Sequence, residues 1–425
     1  VRAELALLVL LLGAGCASVE EPKLPAPLAA EAAAEPLTRA RCTELALQSV
    51  PTAAAWRARL DHARAALEGA RRFPNPSLSL NFEDLGLGGN AAAIPVQTTL
   101  MLGEALADIA SRKRRTAAAE HALAAEEARL LAERDQLAAD VGRAYDELVA
   151  ARARLALDSD LVEIAETQRK AVARFVELGD SPRLELERAE AERLDAELQS
   201  SQDEAAARAR EIELAFALGF ERPVALQLAE RLAPALADEG GELEALLAQA
   251  AQRSPALRAA SEEYAAALER AHLAASGVRF LPIVRAGPRS VDGDTLAVVE
   301  LETELPLFDQ GQSERGAASA ELLAAAAALR NAAHELARSV SLAHASLGAA
   351  RTRLETEARP LAEQRVAIRQ HTERQFAAGE ASYLELVGAR RDEVKARVGV
   401  LQAELELAGA RTELARVLGA EAPAR

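Results

Sequence analysis

The side chains that usually carry metal, redox or nucleophilic chemistry are few: six His, two Cys and one Met in 425 residues. Their spacing suits none of those uses. His121, His272, His334, His344 and His371 are scattered over helical stretches and His62 stands alone, so the short intervals of a zinc site do not occur. The sequence holds no Gly-rich phosphate loop, nucleophile elbow or Cys–His arrangement. Carboxylates abound, with 66 Asp and Glu against 50 Lys and Arg. They are interspersed along helices, where solvated faces account for them and no acid–base pair stands apart. One acidic pattern is ordered: Glu300, Glu302 and Glu304 alternate with Val299, Leu301, Thr303 and Leu305, and Glu83 closes a similar run. A period of two puts these carboxylates on one face of a strand. Such a face suits a wet lumen, where charge of one sign could bias cations, and suits a solvent-exposed surface equally. No catalytic residue, cofactor or metal site is expected.

Composition narrows the scaffold behind that face. A net charge of −16 argues against a nucleic-acid partner. Half of the residues are hydrophobic but only 3% are aromatic, so thin side chains let helices approach closely. The length would allow two or three domains, yet the chain repeats itself. Gly179 and Gly379 each interrupt a helical pattern, and Leu-Glu-Leu follows at Leu184 and Leu384. A shift of about 200 residues, the mark of an internal repeat, also carries Glu213-Leu214-Ala215 onto Glu413-Leu414-Ala415 and Leu218-Gly219 onto Leu418-Gly419. Further upstream, Ala150 to Leu155 matches Ala349 to Leu354. Glycine costs about 1 kcal/mol against Ala inside a helix and reads as a turn. Ser181 with Pro182 then restarts a helix. The sequence therefore predicts one body of two repeats, 37–235 and 236–425, with hairpin tips at about 178–182 and 378–382.

Each repeat opens with short helices, Leu37 to Arg72 and Leu243 to Ser276, and then changes period. Phe73-Pro74-Asn75-Pro76 breaks the first, after which Leu78, Leu80 and Phe82 alternate with Ser79, Asn81 and Glu83. Ile94 to Leu102 reads as the second strand of a hairpin at about 77–102, and Phe280 to Pro288 with Thr295 to Leu305 as a hairpin at about 280–305. These lengths approach the ~9–11 residues of a tilted membrane strand. Four strands close no barrel, since membrane barrels begin at about 8 and an open edge in lipid leaves backbone groups unsatisfied. Several copies would be needed; a small soluble sheet capping a helical body fits the same alternation.

Two very long helices follow, Glu104 to Glu177 (roughly 110 Å) and Gln312 to Ala377 (roughly 100 Å) at the rise of an α-helix. Pro360 should kink the second. The return helices run from Arg183 to Leu218 and from Tyr383 to Leu418. In the latter, Val387, Val394, Val398, Leu401, Leu405, Ala408 and Ala415 form a coiled-coil seam, with Leu194, Leu198 and Ala205 at matching places in the first. Glu380, Glu385, Arg390 and Arg391 near the second tip read as a solvated face, with a charged constriction as the alternative. The fold class is mainly α with a small β part, and elongated.

The amino-terminal run Leu5 to Leu12 is apolar but far short of the roughly 20 residues that span a bilayer. With Gly13-Ala14-Gly15-Cys16 and the Pro-rich stretch after it, it resembles a bacterial lipoprotein signal peptide. That resemblance implies a signal at 1–15, acylation of Cys16 and a tether over 16–36. Cys42 is then the remaining thiol, and no disulfide framework is expected.

Four pieces in order resemble the TolC-type outer-membrane efflux channel family over nearly the whole chain after the tether. They are Ala70 to Leu78 (Ala-Arg-Arg-Phe-Pro-Asn-Pro-Ser-Leu), Leu305-Pro306-Leu307-Phe308-Asp309-Gln310-Gly311-Gln312, the two Gly-containing tips, and the paired Leu-Gly endings. The resemblance implies a lipid-anchored homotrimer in the outer membrane, with twelve strands in one β-barrel and long helical hairpins forming a periplasmic α-barrel. Glu83, Glu300, Glu302 and Glu304 would face its lumen. The tips would dock a periplasmic adaptor protein through Gly179, Leu184, Gly379, Ser382 and Leu384, coupled to an inner-membrane transporter of the resistance-nodulation-division type. The implied function is a passive exit duct for small molecules or metal ions, and the branch serving resistance-nodulation-division pumps, metal-efflux ones included, looks most similar. The competing reading is an elongated periplasmic coiled-coil scaffold or adaptor without a pore.

Overall fold

The computed structural model describes residues 35–49, 51–83, 97–229, 241–277, 280–291 and 293–419. The expected signal peptide, Cys16 and nearly all of the tether lie outside the described residues, as do Ile94 and Val96. The first half runs α1 (Arg39–Ser49), α2 (Pro51–Arg71), β1 (Ser77–Glu83), β2 (Gln97–Ala105), α3 (Leu106–Glu177) and α4 (Arg183–Leu218). The second runs α5 (Leu243–Arg253), α6 (Pro255–Ala275), β3 (Ile283–Val291), β4 (Asp294–Glu302), α7 (Gln312–Thr352), a π-helical turn (Arg353–Ala358), α8 (Arg359–Ala377) and α9 (Tyr383–Val417). Two helical hairpins, α3/α4 and α7–α8/α9, thus stand beside each other.

Each hairpin is sealed by its own apolar cluster where the short helices cross it. Val141, Tyr145, Leu148, Leu214 and Leu218 close around Cys42 and Leu45 of α1 in the first. Val340, Leu347, Leu354, Leu407 and Leu414 close around Leu246 and Ala250 of α5 in the second. Burying one such side chain is worth about 1.5–3 kcal/mol, so these clusters fix both hairpins. Burial also pushes the Cys42 thiol up to about 12, which leaves it unreactive.

The repeats differ by one residue, and the fold shows where. Val141 matches Val340 and Leu148 matches Leu347 at a shift of 199, whereas the tips and Leu214 with Leu414 match at 200. The extra residue falls in the π turn at Arg353–Ala358, which ends two residues before Pro360. A wider turn absorbs a single inserted residue that would otherwise rotate everything beyond it by about 100°. Pro360, which lacks a backbone N–H, is placed in the first turn of α8.

The strands form one antiparallel sheet in the order β1-β2-β3-β4. The two halves join where β2 pairs with β3, and there Gly287 is obligatory: a Cβ would lie 1.9 Å from the Leu100 carbonyl oxygen. Several expected ends shift. β2 continues to Ala105, so the first long helix begins at Leu106 and not at Glu104. β3 starts at Ile283 instead of Phe280, and β4 stops at Glu302. Glu304 and Leu305 are therefore off the strand. The reason is Pro282, which would face residue 303 but has no N–H to give the ladder; the Thr303 hydroxyl bonds the Phe280 carbonyl instead, at 2.9 Å.

Candidate functional site

Register assigns the two faces of the sheet. Leu78, Leu80 and Phe82 pair with Leu102, Leu100 and Thr98, and Ala286 pairs with both Leu102 and Val299. Val284 opposite Leu301 belongs to the same side. This apolar face is largely open, with Val299 70% and Leu301 68% exposed. The other face carries Ser79, Asn81, Glu83, Thr99, Arg285, Arg289, Glu300 and Glu302. Arg285 reaches Glu300 at 3.3 Å and also pairs with Glu302, and Arg289 donates to Thr99 at 3.1 Å and lies 4.0 Å from Glu83. The structure thus brings Glu83, Glu300 and Glu302 to one face and leaves Glu304 beyond it. Two Arg make that face mixed in charge where the sequence pattern suggested acid alone. Both were missed because β3 alternates poorly by itself, and only its pairing with β2 and β4 reveals its faces.

The opposite end of the molecule holds the two tips. Gly179 and Gly379 take φ of +80° and +78° and close equivalent helix ends. Gly179 N–H bonds the Val176 carbonyl and Asp180 N–H that of Phe175; Gly379 and Glu380 do the same to Phe376 and Gln375. These paired bonds satisfy the last carbonyls of each long helix. Nothing lies within 4 Å of a Cβ built on either Gly, so both face open space. Leu184 and Leu384 are 53% and 43% exposed, and Leu178, which the sequence did not single out, is 73% exposed. The restarts differ. Ser382 caps α9 in a reciprocal capping box with Glu385, whose carboxyl is held below its usual range by the Ser382 backbone N–H first and its hydroxyl second. In the first tip α4 begins at Arg183 with Pro182 at the cap and no side-chain bond, so Ser181 is not the cap.

Between the ends, charge is buried where helices cross. Arg39 spans α3 to donate to Thr412 of α9 at 2.6 Å, passing over Gly142, where a Cβ would lie 2.5 Å from its Nη2. It lies 3.8 Å from buried Asp146, whose pKa burial raises. Asp158 is 2% exposed and is pushed up to about 6, chiefly by burial and then by its hydrogen bond to Asp203, against the pull of Arg154. No sequence signal marked these Asp, since burial comes from neighbouring helices. Among the described residues no group of three or more His, Cys, Asp or Glu is placed to hold a metal ion, and no helix is long and apolar enough to cross a membrane.

The arrangement is a two-faced sheet at one end of long paired rods and two exposed turns at the other. The model of the outer membrane efflux protein family matches residues 43–220 and 246–420. No curated protein matches the sequence significantly. Solved structures share the fold. The outer-membrane channel OprN superposes with a TM-score of 0.74 at 20% identity, over 95% of this chain and 98% of that one. The outer membrane protein VceC of Vibrio cholerae gives 0.71 at 18% identity, over 90% and 96%. The open state of the Neisseria gonorrhoeae MtrE outer membrane channel gives 0.71 at 18% identity, over 90% and 88%.

Proposed function

The chain belongs to the outer membrane efflux protein family, and on that premise we propose that three copies build a passive exit duct through the outer membrane. Their sheets join into one twelve-stranded barrel and their helical hairpins into a periplasmic tube. The observation that carries this reading is the open four-stranded sheet. One face is apolar and exposed, the other is wet and charged, and edges β1 and β4 find no further strand among the described residues. In lipid such edges must be closed by other copies. Glu83, Glu300 and Glu302, with Arg285 and Arg289, then face the lumen, and Glu304 lies at its rim. The cargo is small molecules or metal ions delivered from an inner-membrane transporter of the resistance-nodulation-division type.

The tips are the docking site for a periplasmic adaptor. Exposed Leu178, Leu184 and Leu384 supply the apolar contact, Gly179 and Gly379 let a partner approach the backbone, and Ser382 shapes the second turn through its capping box. Cys16 is the acylated anchor. The test is single-channel conductance of detergent-extracted protein in planar bilayers, with its mass from the same preparation. Conducting insertions are expected from a species near three times 45.0 kDa. A monomer that never conducts would overturn the duct. Palmitate labelling should disappear in Cys16→Ser; labelling that persists would remove the anchor.

A further inference from the structure

The wet face of the sheet is acidic on its outer strands and basic on an inner one. Glu83 ends β1, Glu300 and Glu302 stand on β4, and Arg285 and Arg289 both come from β3. β1, β2 and β4 contain no Lys or Arg, so every cation on this face belongs to β3. Neither Arg projects freely; both are half-buried against the wall. The stem of Arg285 lies against β2, where a Cβ on Gly103 would sit 2.5 Å from its Cγ. Its guanidinium reaches Glu300 of β4 at 3.3 Å and pairs with Glu302 as well. Arg289 leans the other way, donating to buried Thr99 of β2 at 3.1 Å and stopping 4.0 Å from Glu83 of β1. Each Glu of the strands on this face thus has a guanidinium beside it.

We propose that Arg285 and Arg289 set the charge selectivity of the barrel: they cancel most of its wall charge, so that anionic solutes pass beside cationic ones. The proposal rests on the duct reading above and deepens it by naming the cargo the wall tolerates. A bare row of carboxylates would draw cations in and hold anions out. A carboxylate in contact with a guanidinium presents a dipole instead, whose field dies away faster than that of a single charge. Mobile ions screen what remains within about 8 Å. Glu83, Glu300 and Glu302 against Arg285 and Arg289 leave one negative charge on the face of each chain, joined by Asp294 at the β3–β4 turn. The chain as a whole carries −16, so this near-balance is local to the wall. Gly103 belongs to the same device, because a side chain there would push Arg285 off the wall and away from its two Glu.

The test is the reversal potential of single channels in planar bilayers under a potassium chloride gradient, which reports the permeability of K⁺ relative to Cl⁻. Arg285→Gln and Arg289→Gln should each raise that ratio roughly fourfold, because every copy then uncovers one more negative charge within screening distance of the path. Arg285→Lys, which keeps the charge, should stay at the wild-type ratio. Reversal potentials unchanged in both Gln variants would overturn the proposal. Where a Gln variant does not insert, Glu300→Gln with Glu302→Gln decides the matter. Arg285 is then unopposed and the ratio should move toward Cl⁻; no movement overturns the proposal equally. A wild type that never conducts removes the duct and this selectivity with it. A conducting wild type beside indifferent variants removes the selectivity alone.

Discussion

Leu194 on α4 is 51% exposed, while its counterpart Val394 on α9 is 6% exposed; Ile212 and Thr412 differ in the same way, at 41% and 2%. The two hairpins have kept one interior and acquired two exteriors. Inside, Leu214 and Leu414 stand at matching points of matching clusters. Along the return helices, four charges above the tips change sign between copies: Glu190, Arg193, Asp195 and Glu197 correspond to Arg390, buried Glu393, Lys395 and Arg397. Local pairing survives the inversion. Arg193 pairs with Glu190 and Glu197, and Glu393 pairs with Arg369 and Arg397. Each hairpin keeps its internal salt bridges, yet the two return helices differ in outward character. The shared interior specifies the rod, and the differing exterior specifies its neighbour.

The largest effects should fall on the shared interior. Leu214→Ala and Leu414→Ala should each cost about 2–5 kcal/mol in urea unfolding followed by circular dichroism, and should cost nearly the same. A large inequality would break the equivalence of the two clusters. Asp158 exists in the first hairpin alone, so its effect should be one-sided. A carboxyl whose folded pKa is raised stabilises the fold below its unfolded pKa, near 3.9, and that contribution is lost as pH rises through about 6. Asp158→Asn should therefore flatten the fall in Tm between pH 4 and pH 6.5; an unchanged slope would show that the carboxyl ionises normally.

The caps offer a smaller contrast. Ser382→Ala should destabilise α9 by about 1 kcal/mol, while Ser181→Ala should change almost nothing, as read by amide exchange in the first turn of each return helix. Equal protection losses would mean that the first tip has a cap of its own. Smallest of all should be deletion of Glu357 together with Pro360→Ala. The π turn should become ordinary α-helix with assembly and stability within about 0.5 kcal/mol of wild type, a surface-sized effect. Loss of assembly would show that the turn does more than absorb length.

Much of this was readable in the residues. Gly179 and Gly379 with their trailing Leu-Glu-Leu marked both tips, and Pro360 lies two residues past the π turn of a second rod that stays helical throughout. Period-two runs at Leu78 and Val299 located the strands. Their ends were not readable, because a strand stops where its partner cannot bond, and Pro282 is a property of the partner. Arg285 and Arg289 were hidden for the same reason. In α9, Val387, Val394 and Ala408 are buried as the heptad pattern expects, but Leu407, Leu414 and Val417 form a second buried row. The helix is flanked by α3 on one side and α7 on the other, and a single seam describes only one of them. Buried Asp146 and Asp158 depend on helices distant in sequence, which no local pattern reports.

The π turn has a consequence for how such a chain changes over generations. A regular α-helical rod between the sheet and the tip cannot gain or lose a residue without twisting its far end out of line. Here one copy holds an additional residue, and its tip still closes with the same bonds as the other. Length and phase are therefore separable traits. Insertions of one residue become survivable events wherever a turn can widen, and two copies of a rod can diverge in number while continuing to stand level in the same wall.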